Sequence, residues 1–506
     1  MAFKTRNLAV LCIYFLPNAL ALSNLKLQGP PTLPSTASYN LNPSLGSFSI
    51  ETAFFEEFVG NTSAPNQLSK NLFENLAMCT GTPAEVRIGG ITADSTYYNA
   101  SQSISLINYI DATGALRNTS IGPGFWNSVQ LLPKGTKITM DLNLERLDYQ
   151  GALSVAKSAV NGLPYGQLAS FEIGNEPDQY PRHFTPRNYS QIWGTWAKNI
   201  STALDFHAPE FRVGATVIDP LWPYNSPGAV QQLDCVSALA AGADRDGVVR
   251  SCSEHTYQYS VCDPPRIAIA TLPNLVNHTR LAQYLDLWQP RIKTANSTPS
   301  LAQGEMASAT RLDRLCGWHL DTTFYAASIN VSRYPIDNLN GPVQVFPSYS
   351  AYLFVAETLG HSKSLRIANI YPGRQANGST ITTSLGDESA GQLVAYGFWD
   401  DNLPSKRRYP AKIVLLNLQI YNQTQTVPRP TATFDISEFL RKSSEAVTIR
   451  RLTAPGADTK LSNMTTWAGQ NFASGVASGK FVEENVRGGR IVVRASEAVL
   501  VFANMS

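Results

Sequence analysis

A (β/α)8 TIM barrel carrying a C-terminal antiparallel β-sandwich is the fold this 506-residue sequence predicts, and three observations predict it. Short β-rich runs alternate with longer helical patterns through the first two thirds of the chain, as repeated βα units around a parallel sheet require. From about residue 360 the texture changes to strands separated by Gly, Pro and Asn turns, the pattern of an antiparallel sandwich. Between these halves of the argument stands Phe-Glu-Ile-Gly-Asn-Glu-Pro-Asp at residues 171–178. Its apolar lead-in runs straight into an Asn-Glu pair and a proline that cannot continue a ladder. Glu176 is thereby delivered to the carboxyl end of a strand, where parallel α/β folds keep their active sites.

Taken in order, the chain opens with Lys4 and Arg6, an apolar run from Leu8 to Leu16 and then Ala19-Leu20-Ala21. That is the layout of a secretory signal peptide covering 1–21. Residues 22–45 include the Pro-rich stretch Gln28 to Pro34 and are expected to lend a strand to the sandwich. Residues 46–358 form the catalytic barrel. Its strand candidates are Phe48 to Phe55, Glu85 to Ile88, Lys137 to Leu142, Ala169 to Gly174, Arg212 to Ile218, Ser253 to Tyr257, Leu301 to Gly304 and an eighth near Ser328 to Tyr334. The clearest helix spans about Pro186 to Asp205, where Tyr189, Ile192, Trp193, Trp196, Ile200 and Leu204 recur at spacings of three and four. At that period the aromatics read as a buried face rather than a sugar platform. Leu68, Leu72 and Leu76, and the run from Leu275 to Trp288, mark further barrel helices. Residues 359–506 form the sandwich, with Leu393 to Trp399, Lys412 to Tyr421, Ala446 to Arg451 and Arg490 to Phe502 as its clearest strands.

Composition narrows the function. Forty Lys plus Arg against 38 Asp plus Glu give a net charge of +2 with no basic block, which argues against nucleic acid. Beyond the leader no apolar run is long enough to span a bilayer, and no anchor-signal tail ends the chain, so a soluble, secreted monomer is expected. Sequons at Asn61, Asn99, Asn118, Asn188, Asn199, Asn277, Asn296, Asn330, Asn377, Asn422, Asn463 and Asn504 fit a glycosylated product. Cleavage leaves Cys79, Cys235, Cys252, Cys262 and Cys316, an odd set in an oxidising compartment. Cys252 and Cys262 are the candidate pair for bridging a loop. No Cys or His spacing suggests zinc, and no metal or organic cofactor is expected.

A second carboxylate, Glu305 in Ala302-Gln303-Gly304-Glu305-Met306, has a setting like that of Glu176. Two strand-end glutamates from different βα units suggest retaining glycoside hydrolysis, in which one carboxyl protonates the leaving oxygen and the other attacks from about 5 Å away. On this reading Glu176 is the acid/base, its pKa raised by burial and a neighbouring anion, and Glu305 is the nucleophile, kept ionised by hydrogen bonds. Asn175 is placed to offer its amide to a sugar hydroxyl, or else to cap the turn. Tyr257, in Glu254-His255-Thr256-Tyr257, either steadies Glu305 or fills the barrel mouth. Gly89 and Gly90 permit close approach of backbone to a ligand. Arg87 before them is open to two readings, a substrate contact or a barrel-floor ion pair. Glu51 likewise either binds sugar hydroxyls or makes a structural pairing.

Together these residues resemble glycoside hydrolase family 79, the family of fungal β-glucuronidases related to heparanase. The resemblance rests on Ser49-Ile50-Glu51 with Phe54, Pro65 to Leu68, Val86 to Gly90, Phe171 to Asp178, His255-Thr256-Tyr257, Gly304-Glu305 and Lys412 to Leu418. It implies a barrel plus sandwich, net retention without cofactor, Glu176 as acid/base and Glu305 as nucleophile. The segment around the eighth strand departs from the family pattern. There Arg333 and Tyr334 are the candidates to take a glucuronate carboxylate, an arginine fork suiting a planar anion. The expected activity is release of terminal glucuronate or its 4-O-methyl form. The alternatives are a neutral β-glycoside as substrate, or a silent carbohydrate-binding protein on the same scaffold.

Overall fold

The computed structural model describes residues 24–218, 233–259, 264–297, 306–309, 316–331, 336–337, 344–373, 391–403, 408–444 and 446–504. Cys262, Glu305, Arg333, Tyr334, Asn377, the leader and the run Leu301 to Gly304 lie outside the described residues.

Eight parallel strands form one sheet in sequential order: Phe48–Glu51, Val86–Gly89, Ile138–Leu142, Leu168–Ile173, Phe211–Thr216, Val249–His255, Met306–Ala309 and Ile336–Asp337. Strand eight pairs with strand one, and each later strand lies beside its predecessor, which is the strand order of a (β/α)8 barrel. Strands two to five are buried along nearly their whole length, so they read as continuous apolar runs rather than as alternation. Helix Pro186–Ala203 is capped by the Thr185 hydroxyl and buries Tyr189, Trp193, Trp196 and Ile200, the face its periodicity predicts.

The seventh strand is described over Met306–Ala309, with Ala309 beside His255, and the expected run Leu301 to Gly304 lies outside the described residues. At the eighth position, Ser328 is still helical within Cys316–Ser328. The helix closes through Asn330 at φ +73° and a Val331 amide bonded to the Ala326 carbonyl, and the strand follows at Ile336. The β-branched Ile329 and Val331 imitate a strand there because they are buried in the turn that closes that helix.

In the carboxyl-terminal region a seven-stranded antiparallel sheet is built around Leu365–Tyr371, Leu393–Asp400, Lys412–Asn417, Glu497–Phe502 and Ala446–Thr453. It faces a three-stranded sheet in which Leu25–Lys26, from the start of the described chain, pairs with Thr431–Asp435 beside Arg490–Arg494. Strand Lys412–Asn417 serves two cores. Ile413 and Leu415 face the small sheet with Phe434 and Val493, while Val414 and Leu416 join Phe324 and Phe354 of the last two barrel helices. That double burial locks the sandwich to the barrel and explains the unbroken apolar run in the sequence.

Candidate active site

Glu176 ends strand four by force of local chemistry. Gly174 adopts φ +89°, and a Cβ there would lie 2.6 Å from the Tyr180 hydroxyl. Glu176 itself sits at φ +53°, directly before Pro177 and its short 3-10 turn. A non-glycine residue in the left-handed region is strained, and such strain persists only where surroundings over-determine it. The surroundings here are the Ala215 carbonyl, which accepts the Glu176 amide at 2.8 Å, and Asp94, which accepts the Asn175 amide at 3.2 Å.

The Glu176 side chain retains 24% exposure, and its Oε1 meets His255 Nδ1 at 2.8 Å and the Tyr257 hydroxyl at 3.0 Å. Burial raises the pKa of this carboxyl, but the hydrogen bond and charge of His255, with the Tyr257 hydroxyl, outweigh it and the net direction is down. This corrects the expectation of a raised value. The partners that hold the carboxylate come from strand six and are invisible in the Gly-Asn-Glu-Pro motif. Tyr257 donates to Glu176, while its expected contact with Glu305 lies outside the described residues. His255 Nε2 is buried without a hydrogen bond among the described residues.

Beneath Glu176 lies a charged layer inside the barrel. Arg87 bonds Glu172 Oε2 at 2.5 Å, Asp141 Oδ2 at 3.0 Å and the Ser49 hydroxyl at 3.2 Å, and it donates to Asn175 Oδ1 at 3.1 Å. One buried guanidinium cannot neutralise two buried carboxylates. Burial raises both groups, but Arg87 and Arg212 hold Glu172 net below the usual range, while Asp141, with other carboxylates nearby, is pushed well above it. Of its two readings, Arg87 therefore takes that of the barrel-floor ion pair. It reaches the site through Asn175, whose oxygen it occupies, leaving the amide nitrogen as the group that donates.

The roles assigned to Glu51, Gly89 and Gly90 also change. The Glu51 carboxylate accepts from the amides of Ile91 and Thr92 at 3.2 and 3.0 Å and from the Thr92 hydroxyl at 2.7 Å, capping the turn after strand two. A Cβ on Gly90, at φ +80°, would fall 2.4 Å from that carboxyl, and one on Gly89 would fall 2.7 Å from Asp141 Cβ. The glycines thus admit protein groups rather than a ligand.

Cys252 bonds not to Cys262 but to Cys235, the first residue of helix Cys235–Ala240 packed on strand six. The two Cα atoms lie 5.9 Å apart, so helix-on-strand packing, not loop proximity, selects the pair. Sequence reading missed Asp94, Tyr180, Asp141 and Glu172. A signal was available for the last two, since an acidic residue inside a fully apolar strand demands a buried cation. Among the described residues, no cluster of His, Cys, Asp or Glu could hold a metal ion, and no helix is long and apolar enough to cross a membrane.

A sequential parallel barrel fused to a β-sandwich, with an Asn-Glu pair raised at the end of strand four, defines the class: a glycoside hydrolase. Residues 395–500 match the glycosyl hydrolase family 79 C-terminal beta domain. A β-glucuronidase of Aspergillus niger is 27% identical over 93% of this chain and 90% of its own, and one of Neurospora crassa is 25% identical over 84% of each. In structure, a 4-O-α-L-rhamnosyl-β-D-glucuronidase of Fusarium oxysporum 12S superposes with a TM-score of 0.75 at 20% identity, over 94% of this chain and all of its own. A family 44 xyloglucanase of Paenibacillus polymyxa shares the fold more distantly, with a TM-score of 0.54 at 9% identity over 95% of this chain and 99% of its own. The chain is thus similar to β-glucuronidases over most of its length and matches glycoside hydrolase family 79 in its C-terminal domain.

Proposed function

We propose that this protein is a secreted, retaining exo-β-glucuronidase that releases terminal glucuronate or 4-O-methylglucuronate from glycans, with Glu176 as acid/base and Glu305 as nucleophile. The observation that carries the reading is Glu176: half-sheltered at the end of strand four, backed by the Arg87 layer, with the Asn175 amide nitrogen beside it. Two relatives named β-glucuronidase, spanning most of this chain, support the sugar.

In the first step Glu176 gives its proton to the glycosidic oxygen while Glu305 attacks the anomeric carbon, and in the second Glu176 takes a proton from water as the glycosyl ester is cleaved. Asn175, oriented by Arg87, donates to the sugar hydroxyl next to the anomeric carbon, a bond that strengthens as positive charge develops. Because His255 and Tyr257 favour the ionised form of Glu176, the proton it must donate is present mainly in acid, so turnover should rise from neutral toward mildly acidic pH. Arg87 is already committed to Glu172 and Asp141, so recognition of the sugar carboxylate is assigned to Arg333 and Tyr334.

The test is hydrolysis of p-nitrophenyl β-D-glucuronide against the matching glucoside and galactoside, with Glu176→Ala and Glu305→Ala alongside. Glucuronide turnover lost in both variants is the expected result. Preference for a neutral glycoside would overturn the sugar assignment, and full turnover by Glu305→Ala would overturn the nucleophile.

A further inference from the structure

We propose that Asp94, which touches no substrate, is the positioning residue that aims the Glu176 carboxyl at the leaving oxygen, an inference resting on Glu176 as acid/base. Asp94 sits in the turn Ala93–Ser95, directly after strand two, and is 3% exposed. Its Oδ1 accepts the amides of Leu144 and Glu145, just past strand three, at 2.9 and 3.2 Å. Its Oδ2 accepts the Asn175 amide at 3.2 Å and the Tyr180 hydroxyl at 2.7 Å, on either side of Glu176 in the chain. One carboxylate thus joins the loops after strands two, three and four. Its own place is fixed from strand one, because Glu51 grips Thr92 two residues earlier.

The end of strand four needs such a hub. Gly174 and Glu176 are both left-handed, and the Ala215 residue that anchors Glu176 from the other side is left-handed too, at φ +52°. The Glu176 backbone is suspended between that carbonyl on strand five and Asp94. The Tyr180 hydroxyl lies against the bare Cα of Gly174, where any side chain would displace it. Removing the Asp94 anchor frees the Asn175 peptide to rotate and carries the Glu176 carboxyl with it, while strand six still holds His255 and Tyr257 in place.

A misaimed general acid has a chemical signature that simple fold damage lacks. An alkoxide cannot leave without a proton, so an alkyl glucuronide depends on Glu176, whereas a dinitrophenolate leaves unaided. The experiment compares kcat/KM, which reports the first chemical step, on methyl and 2,4-dinitrophenyl β-D-glucuronide for the unmodified protein, Asp94→Asn and Tyr180→Phe, with melting curves for each. Asp94→Asn keeps an acceptor for Leu144 and Glu145 but turns a donor toward the Asn175 amide. It is expected to lower kcat/KM on the methyl glycoside about 100-fold, the cost of misplacement by about 1 Å, while the dinitrophenyl substrate is nearly unchanged. Tyr180→Phe should act in the same direction and more weakly, and it serves as the test if Asp94→Asn does not fold. Equal losses on both substrates, or none on either, would overturn the inference. Turnover of neither substrate by the unmodified protein would overturn the glucuronidase reading first, before any substitution is compared.

Discussion

The mouth of the barrel at strands two to four and the seam between barrel and sandwich are both deeply buried, yet they are held together in opposite ways. The seam is largely apolar. Val394, Tyr396, Phe398, Val414 and Leu416 press on Phe324 and Phe354, with the buried His278–Asp321 pair, to which Tyr396 donates, set among them. The mouth is a stack of ions and hydrogen bonds: Arg87 with Asp141 and Glu172, Asp94 with four donors, and Glu176 with His255 and Tyr257. The seam is non-directional and tolerates repacking, whereas each polar contact at the mouth fixes a direction and leaves an unpaired group if broken. Placing a proton within a fraction of an ångström requires the second kind of construction.

Substitutions can break this contrast. Glu176→Gln should have the largest effect, removing general acid catalysis and lowering kcat/KM on an alkyl glucuronide by roughly 10²–10⁴-fold with the melting temperature unmoved. Arg87→Met should damage both properties. It leaves two buried carboxylates facing an apolar side chain, costing about 3–5 kcal/mol in urea unfolding, and it lets Asn175 turn, lowering kcat. At the seam, Phe398→Ala should cost about 3 kcal/mol through the cavity it opens, while the pH profile of the surviving enzyme matches that of the parent.

His255→Gln sharpens the comparison with the smallest change. His255 lowers the Glu176 pKa, so its loss lets that pKa rise, and the protonated acid survives to higher pH. The alkaline limb of the kcat/KM profile should therefore move upward, with little change in stability. A limb that moved downward would contradict the direction of that coupling.

How much of this was legible beforehand follows the same division. The seam could be read directly, because unbroken apolar strands and the three-and-four spacing in Pro186–Ala203 encode burial in the local sequence. Asp141 and Glu172 stood in plain sight as charges within apolar strands, although nothing local named Arg87 as their shared partner. Where local signals competed, they misled: Ile329 and Val331 looked like a strand and lie in the turn that closes a helix, and Cys262 looked closer to Cys252 than Cys235 does.

By itself, the sequence determined that Glu176 ends a strand, since Gly174 and Pro177 bracket it with backbone that no ladder continues. It determined equally that the helix following that strand buries its aromatic face. Only the tertiary structure decided which way the Glu176 pKa moves, that Arg87 serves the barrel floor, that Glu51 caps a turn and that Cys235 takes Cys252. Each of those outcomes depends on side chains brought together by strand register or helix packing across distant parts of the chain, and neither is written in the residues adjacent to either partner.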